Sequence, residues 1–166
     1  MNKSIRIGGA SGFWGDSYRA TEQLLQDTTL DFIVYDYLAE ITMSIMARAI
    51  AKSPSAGYAT DFIDAVIKPY IKRISTHNTR LISNAGGVNP EKCAEVISEL
   101  VKDPQLNLKV SCITGDDLMG SAQEIKNMNC KEMFSDIKFP ELDKVASMNA
   151  YLGAFAISKA LDKGAD

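Results

Sequence analysis

Asp116 and Asp117 stand side by side in the stretch TGDDL, residues 114–118, with nothing to separate their charges. Adjacent carboxylates are costly unless solvated, paired or bound to a cation. Their hard oxygens suit a divalent cation such as Mg²⁺ or Ca²⁺ with waters completing the shell, so both are candidate metal ligands. Equally, one of them can act as a general base removing a proton beside a carbonyl, or Asp117 can cap a helix. Asp16 is the third candidate catalytic carboxylate. It follows Gly9, Ser11 and Gly12 in GGASGFWGDS, residues 8–17. Backbone N–H groups of such a loop can hold an anionic or carbonyl oxygen, while Asp16 or Ser17 can simply cap the next helix. NAGGVNP, residues 84–90, divides the same way. Asn84, Gly86, Gly87 and Asn89 are ligand contacts if a helix N-terminus presents free donors there, and a structural turn otherwise. Asp36 and Glu40 are four apart, and share a helix face if Asp36 begins the helix. Phe13, Trp14 and Tyr37 can wall a branched apolar chain or pack against a sheet.

Other chemistries are excluded by what is missing. The glycines at 9, 12 and 15 lack the G-x-G-x-x-G spacing of a dinucleotide loop, and no Lys-Ser/Thr follows as in a P-loop. The single histidine, His77, lies in the polar stretch STHNTR and reads as a surface-loop residue. With this surface-loop residue as the single histidine, a Ser-His-Asp triad or a multi-His zinc site is nearly excluded within this chain. Cys93, Cys112 and Cys130 have no metal-ligand spacing and fit reduced thiols in a cytoplasm; Cys93 and Cys112 read as small core residues. A net charge of −3 without a Lys/Arg block argues against nucleic acid and anionic membrane as partners. No apolar run is long enough to span a bilayer, and MNKSIRIGG has no signal-peptide core.

These residues need a scaffold to bring them together. The chain has 166 residues, enough for a single domain over 1–166 with a sizeable core. Short apolar runs at Ile5–Ile7, Asp31–Tyr35, Arg80–Ser83 and Leu108–Ile113 read as strands. Between them lie helical stripes. One runs through Leu38, Ile41, Thr42, Ile45, Met46 and Ala49; another through Ile63, Val66, Ile67, Tyr70, Ile71 and Ile74, with Pro69 forcing a kink or a new turn. A third holds Cys93, Val96, Ile97, Leu100 and Val101 behind an Asn89 N-cap and Pro90. The alternation predicts an α/β fold, doubly wound, with a mostly parallel sheet and helices on both faces. All strand C-termini of such a sheet meet one rim, where ligands bind. The four loops described above, including DYLAE at 36–40, belong to that rim.

Taken together, GGASGFWGDS, DYLAEITMSI, GYATDF (57–62), SNAGGVNP (83–90), GDDL (115–118), SMNAYLGA (147–154) and the ending ALDKGAD resemble the AtuA family of acyclic terpene utilisation proteins. The likeness covers essentially the whole chain, in family order. It implies an α/β protein that works beside acyl-CoA enzymes of citronellol and geraniol breakdown, with an acyl-CoA-type small molecule as ligand. It also implies a partnership with a small ferredoxin-fold domain, and that the chain corresponds to the N-terminal part of an incomplete family domain. A non-catalytic ligand-binding or assembly subunit is the rival reading. The apolar positions Tyr151, Leu152, Phe155, Ile157 and Leu161 have no obvious cover within the chain, which predicts a homo-oligomer or a mobile last helix.

Overall fold

The computed structural model describes residues 4–27 and 29–166; the first three residues of the chain's N-terminal reading lie outside it. Three strands form one parallel sheet in the consecutive order β1 (Ile7–Ser11), β2 (Phe32–Tyr35) and β3 (Arg80–Ser83). Around them lie α1 (Ala20–Leu24), α2 (Glu40–Lys52), a π-helical turn at Phe62–Ile67, α3 (Lys68–His77) and α4 (Pro90–Leu100). Two short helices follow, α5 (Ala122–Asn127) and α6 (Phe155–Asp162), separated by mostly irregular chain. The expected α/β class is what this architecture shows.

Side chains alternate across the strands. Ala10, Ile33 and Tyr35 point into the core with Leu25, Met46, Phe62, Val66 and Ile74. Ile7 on the other face is exposed, and Phe32, Val34 and Ile82 there are half-buried and outside the core. The core therefore lies against one face of the sheet.

β1 begins at Ile7 rather than ending there, and it takes Gly8 and Gly9 into the ladder opposite Ile33 and Val34. The glycine at position 8 has a packing reason. A Cβ there would lie 2.9 Å from Leu24 and 3.2 Å from Leu30. The expected fourth strand is not in the sheet: Leu108–Ile113 is extended but carries no ladder. The second helical stripe is split as Pro69 requires. The π-helical turn absorbs the missing donor, and Pro69 falls in the first turn of α3, where no intrahelical N–H is needed. In α2 the buried side chains are Thr42, Met46 and Ala47, while Ile41 and Ile45 are exposed, so the helix is rotated from the expected stripe. His77 closes α3 instead of lying in a loop, and its Nδ1 is buried without a hydrogen-bond partner among the described residues.

Tyr35 and Tyr37 stack in the core at 6.2 Å, each edge-on to Phe62, and the Tyr35 hydroxyl shares a hydrogen bond with Thr21 Oγ1 at 3.0 Å. Burial pushes the Tyr35 phenol up to about 12 from 10 and moves Tyr37 further in the same direction. A raised phenol stabilises the fold fully below pH 10 and loses that contribution as pH climbs through the folded value. The chain should therefore unfold in alkali, with stability falling between pH 10 and 12. Tyr35→Phe should make that decline shallower while lowering stability near pH 7 by roughly 1 kcal/mol through the orphaned Thr21 hydroxyl. Urea melts at pH 7 and pH 11 check both signs.

Candidate functional site

The C-terminal ends of β2 and β3 and the TGDDL loop open on a cleft of about 810 Å³. One wall carries Asp36, Glu40 and Met43; another carries Ser83, Asn84, Gly86 and Gly87; the third carries Asp116, Ser147, Asn149 and Tyr151. Of the residues expected to bind ligand or do chemistry, Asn84, Gly86, Gly87 and Asp116 line this cleft. Gly9, Ser11, Gly12, Asp16, Asn89 and Asp117 are not among its lining residues.

Asn84 organises the first two walls. Its Oδ1 accepts from Tyr37 N at 2.7 Å, its Nδ2 donates to Asp36 Oδ1 at 2.7 Å, and its own N–H donates to Tyr35 O at 3.4 Å. One amide thus joins the ends of β2 and β3 and aims the Asp36 carboxylate.

The NAGGVNP loop is closed by its own backbone. Gly87 N donates to Asn84 O, Val88 N to Gly57 O and Asn89 N to Gly86 O, so these three donors are already used. Asn89 sits at the N-cap position of α4 but makes no side-chain cap. Its Nδ2 instead ties down Pro54 O and Ala56 O at 3.0 and 2.8 Å. Cys93 is buried beneath this loop, with its thiol pushed up to about 11 by desolvation. Cys112, expected in the core, is exposed and lines the cleft; its thiol is raised by burial, then by Glu91 and Asp116.

Asp116 and Asp117 face different ways. Asp116 Oδ2 accepts from Asn149 Nδ2 at 2.9 Å, and its carbonyl accepts from Ala150 N at 2.8 Å. Asp117 Oδ1 accepts from Met119 N at 2.8 Å, which opens the short 3₁₀ turn at Met119–Ser121. Only Asp116 lines the cleft, and among the described residues no three of His, Cys, Asp and Glu gather where a metal could sit. The pair therefore does not fit a site in which both carboxylates grip one cation. Because Asp117 closes an Asx turn on Met119 N, Asp117→Asn, which keeps the acceptor, should leave stability nearly unchanged, and Asp117→Ala should cost roughly 1 kcal/mol. Thermal melts of the two variants separate these outcomes.

The glycine loop after β1 stands apart from the large cleft but at the same end of the sheet. Asp16 does not cap α1, whose N-cap position is Arg19. Its Oδ2 accepts from Gly12 N at 2.9 Å and closes the loop on itself, with Gly15 at φ 85°. Trp14 N donates to Tyr37 O at 3.1 Å and its indole Nε1 to Asp61 Oδ1 at 2.5 Å, while Ser11 Oγ donates to Asp36 O at 3.3 Å. Tyr37 is a core residue and Phe13 is exposed, so no aromatic wall forms. The space between Ser11, Asp16, Tyr37 and Asp61 is about 10 Å³, room for one water. Asn149, which aims Asp116, escaped the reading by residue type because only the tertiary path of residues 147–150 brings it there.

Among the described residues no helix is long and apolar enough to cross a membrane. No curated protein and no solved structure matches the chain. The model of the acyclic terpene utilisation family, AtuA, matches residues 5–166, from the start of the sheet through α6. The chain belongs to the acyclic terpene utilisation family AtuA.

Proposed function

We propose that the chain binds or acts on an acyl-CoA-type intermediate of acyclic terpene or branched-acid catabolism, at the rim of the large cleft. The observation that carries this reading is the mixed lining of that rim. Leu38, Met43, Tyr151 and Leu152 offer apolar surface to a branched chain, beside the amides of Asn84 and Asn149 and the hydroxyls of Ser83 and Ser147. Lys109 is the one Lys or Arg among the lining residues, and it stands at the far end from Asp36, Glu40 and Asp116. The acyl end therefore enters the cleft, while the nucleotide phosphates stay in solvent away from these carboxylates. A divalent cation in this reading rests on Asp116 with waters and the ligand's own oxygens.

A second reading, a non-catalytic binding or assembly subunit, is favoured by the state of the polar groups. Asp36 and Asp116 already accept from amide side chains, and the Cys112 thiol is shifted away from the reactive thiolate. Incubation with straight, branched and isoprenoid acyl-CoAs, read by mass spectrometry and thermal shift, separates the two. Turnover marks an enzyme, and a raised Tm without turnover marks a binding subunit. Neither response from any acyl-CoA removes the acyl-CoA reading.

A further inference from the structure

One backbone donor in the loop after β3 is left over. Asn84 N donates to Tyr35 O, Ala85 N to Ser83 Oγ, Gly87 N to Asn84 O, Val88 N to Gly57 O and Asn89 N to Gly86 O. Gly86 N has no partner among the described residues, and Gly86 lines the cleft. An unused N–H in so fully bonded a loop calls for a ligand or a water. The donor is also held still. A Cβ on residue 86 would stand 2.8 Å from Pro90 Cα, so the loop lies hard against the first residue of α4. The positive end of that helix is therefore beside the Gly86 donor and favours negative charge there.

Two neighbouring groups line the same cleft. Ser83 Oγ accepts from Ala85 N at 3.0 Å, which leaves its proton free to donate. The Asp36 carboxylate is tied to this loop by Asn84 Nδ2, 2.7 Å from Oδ1. Ser11 fixes its backbone: Asp36 N donates to Ser11 O and Asp36 O accepts from Ser11 Oγ, both at 3.3 Å. Asp36 Oδ2 accepts from no group among the described residues. The rim at β2 and β3 thus offers two spare donors and one spare charged acceptor, each on a positioned group. Removal of a proton beside a carbonyl needs that set, a base for the carbon and donors for the oxygen.

We infer that Asp36 is the general base for a carbon acid: Oδ2 takes a proton from the carbon beside a thioester carbonyl, while Gly86 N–H and Ser83 Oγ–H hold the carbonyl oxygen. The electron pair of the broken C–H bond moves toward that oxygen, giving an enolate and a protonated Asp36. Return of a proton to the carbon restores the thioester, so the step balances without an oxidant or a second substrate. The donors are needed because a carbon acid is far weaker than a carboxylic acid, and the charge they meet is larger in the enolate than in the thioester. The inference rests on the acyl-CoA reading and adds to it the reaction class and the residue that performs it.

The test uses isovaleryl-CoA in D₂O, with proton NMR following the hydrogens on the carbon beside the carbonyl and thermal shift reporting binding. Wild type should exchange these hydrogens for deuterium well above the protein-free rate. Asp36→Asn keeps an acceptor for Asn84 Nδ2, so it should fold and keep the wild-type rise in Tm, yet slow exchange at least about 100-fold. Ser83→Ala should slow exchange about 100-fold, and Ser83→Thr, which keeps the hydroxyl, should recover most of the rate. A rise in wild-type Tm without exchange overturns this inference and leaves the acyl-CoA reading standing. Undiminished exchange in Asp36→Asn overturns it too, by placing the base on another group. No rise in Tm with isovaleryl-CoA or with straight and isoprenoid acyl-CoAs removes the reading and the inference together.

Discussion

Gly87→Ala should lower stability by about 2–4 kcal/mol, which corresponds to roughly 6–12 °C in Tm for a chain of this size. Gly87 sits at φ 55°, where an L side chain is strained. A Cβ there would meet Met46 Sδ at 2.1 Å and Gly57 O at 2.6 Å. Met46 is 1% exposed, so its thioether has little room to withdraw, and Gly57 O is backbone that already accepts from Val88 N. Removing the side chain tests which contact dominates. Met46→Ala alone should cost about 2–5 kcal/mol by leaving a cavity, but the double variant should lose clearly less than the sum, because the new methyl enters the space the thioether left. Strict additivity, measured by urea melts of the four proteins, would move the strain to Gly57 O and the backbone.

The second large effect belongs to Asn84. Asn84→Ala removes the acceptor for Tyr37 N and the donor to Asp36, and should cost about 2–3 kcal/mol while loosening one wall of the cleft. Asn84→Asp keeps the acceptor but sets a carboxylate where an amide donated to Asp36. Like charges at that separation cannot both ionise cheaply. The deficit of this variant relative to wild type should therefore be large at pH 7 and shrink as pH falls toward about 4, the crowded pair taking up its proton above the ordinary carboxylate range. A deficit independent of pH would mean that the Asn84–Asp36 contact does not aim the carboxylate.

Several elements are legible in the sequence for physical reasons. β2, β3 and α4 carry uninterrupted patterns, and Pro90 marks the start of α4 within a residue. β1 is shifted because glycine reads as a breaker, whereas here Gly8 gives up its Cβ to let Leu24 and Leu30 approach. Leu108–Ile113 looks like a strand and is extended like one, but a strand needs neighbours, and apolar composition alone does not supply them. The rim is legible where parallel topology decides it: Asn84, Gly86 and Gly87 follow β3 at the side where β2 ends, and Asp116 reaches the same cleft without a ladder to place it. Local hydrogen bonding decides the rest. Asp16, Asn89 and Asp117 each satisfy a neighbouring backbone group, a use that residue type cannot distinguish from ligand contact.

Thermal shift with an isoprenoid acyl-CoA, with and without Mg²⁺, on wild type, Asp116→Asn, Asn149→Ala and Asp117→Asn tests the rim most directly. At saturating ligand, about 100 times Kd, binding adds about 2.7 kcal/mol and should raise the wild-type Tm by several degrees. Asp117→Asn should respond like wild type, since that carboxylate caps a turn outside the cleft lining. Asp116→Asn and Asn149→Ala should lose most of the rise, since the Asp116 carboxylate lines the cleft and Asn149 Nδ2 holds it there. The same rise in all four proteins, or none in wild type, would contradict a ligand at this rim.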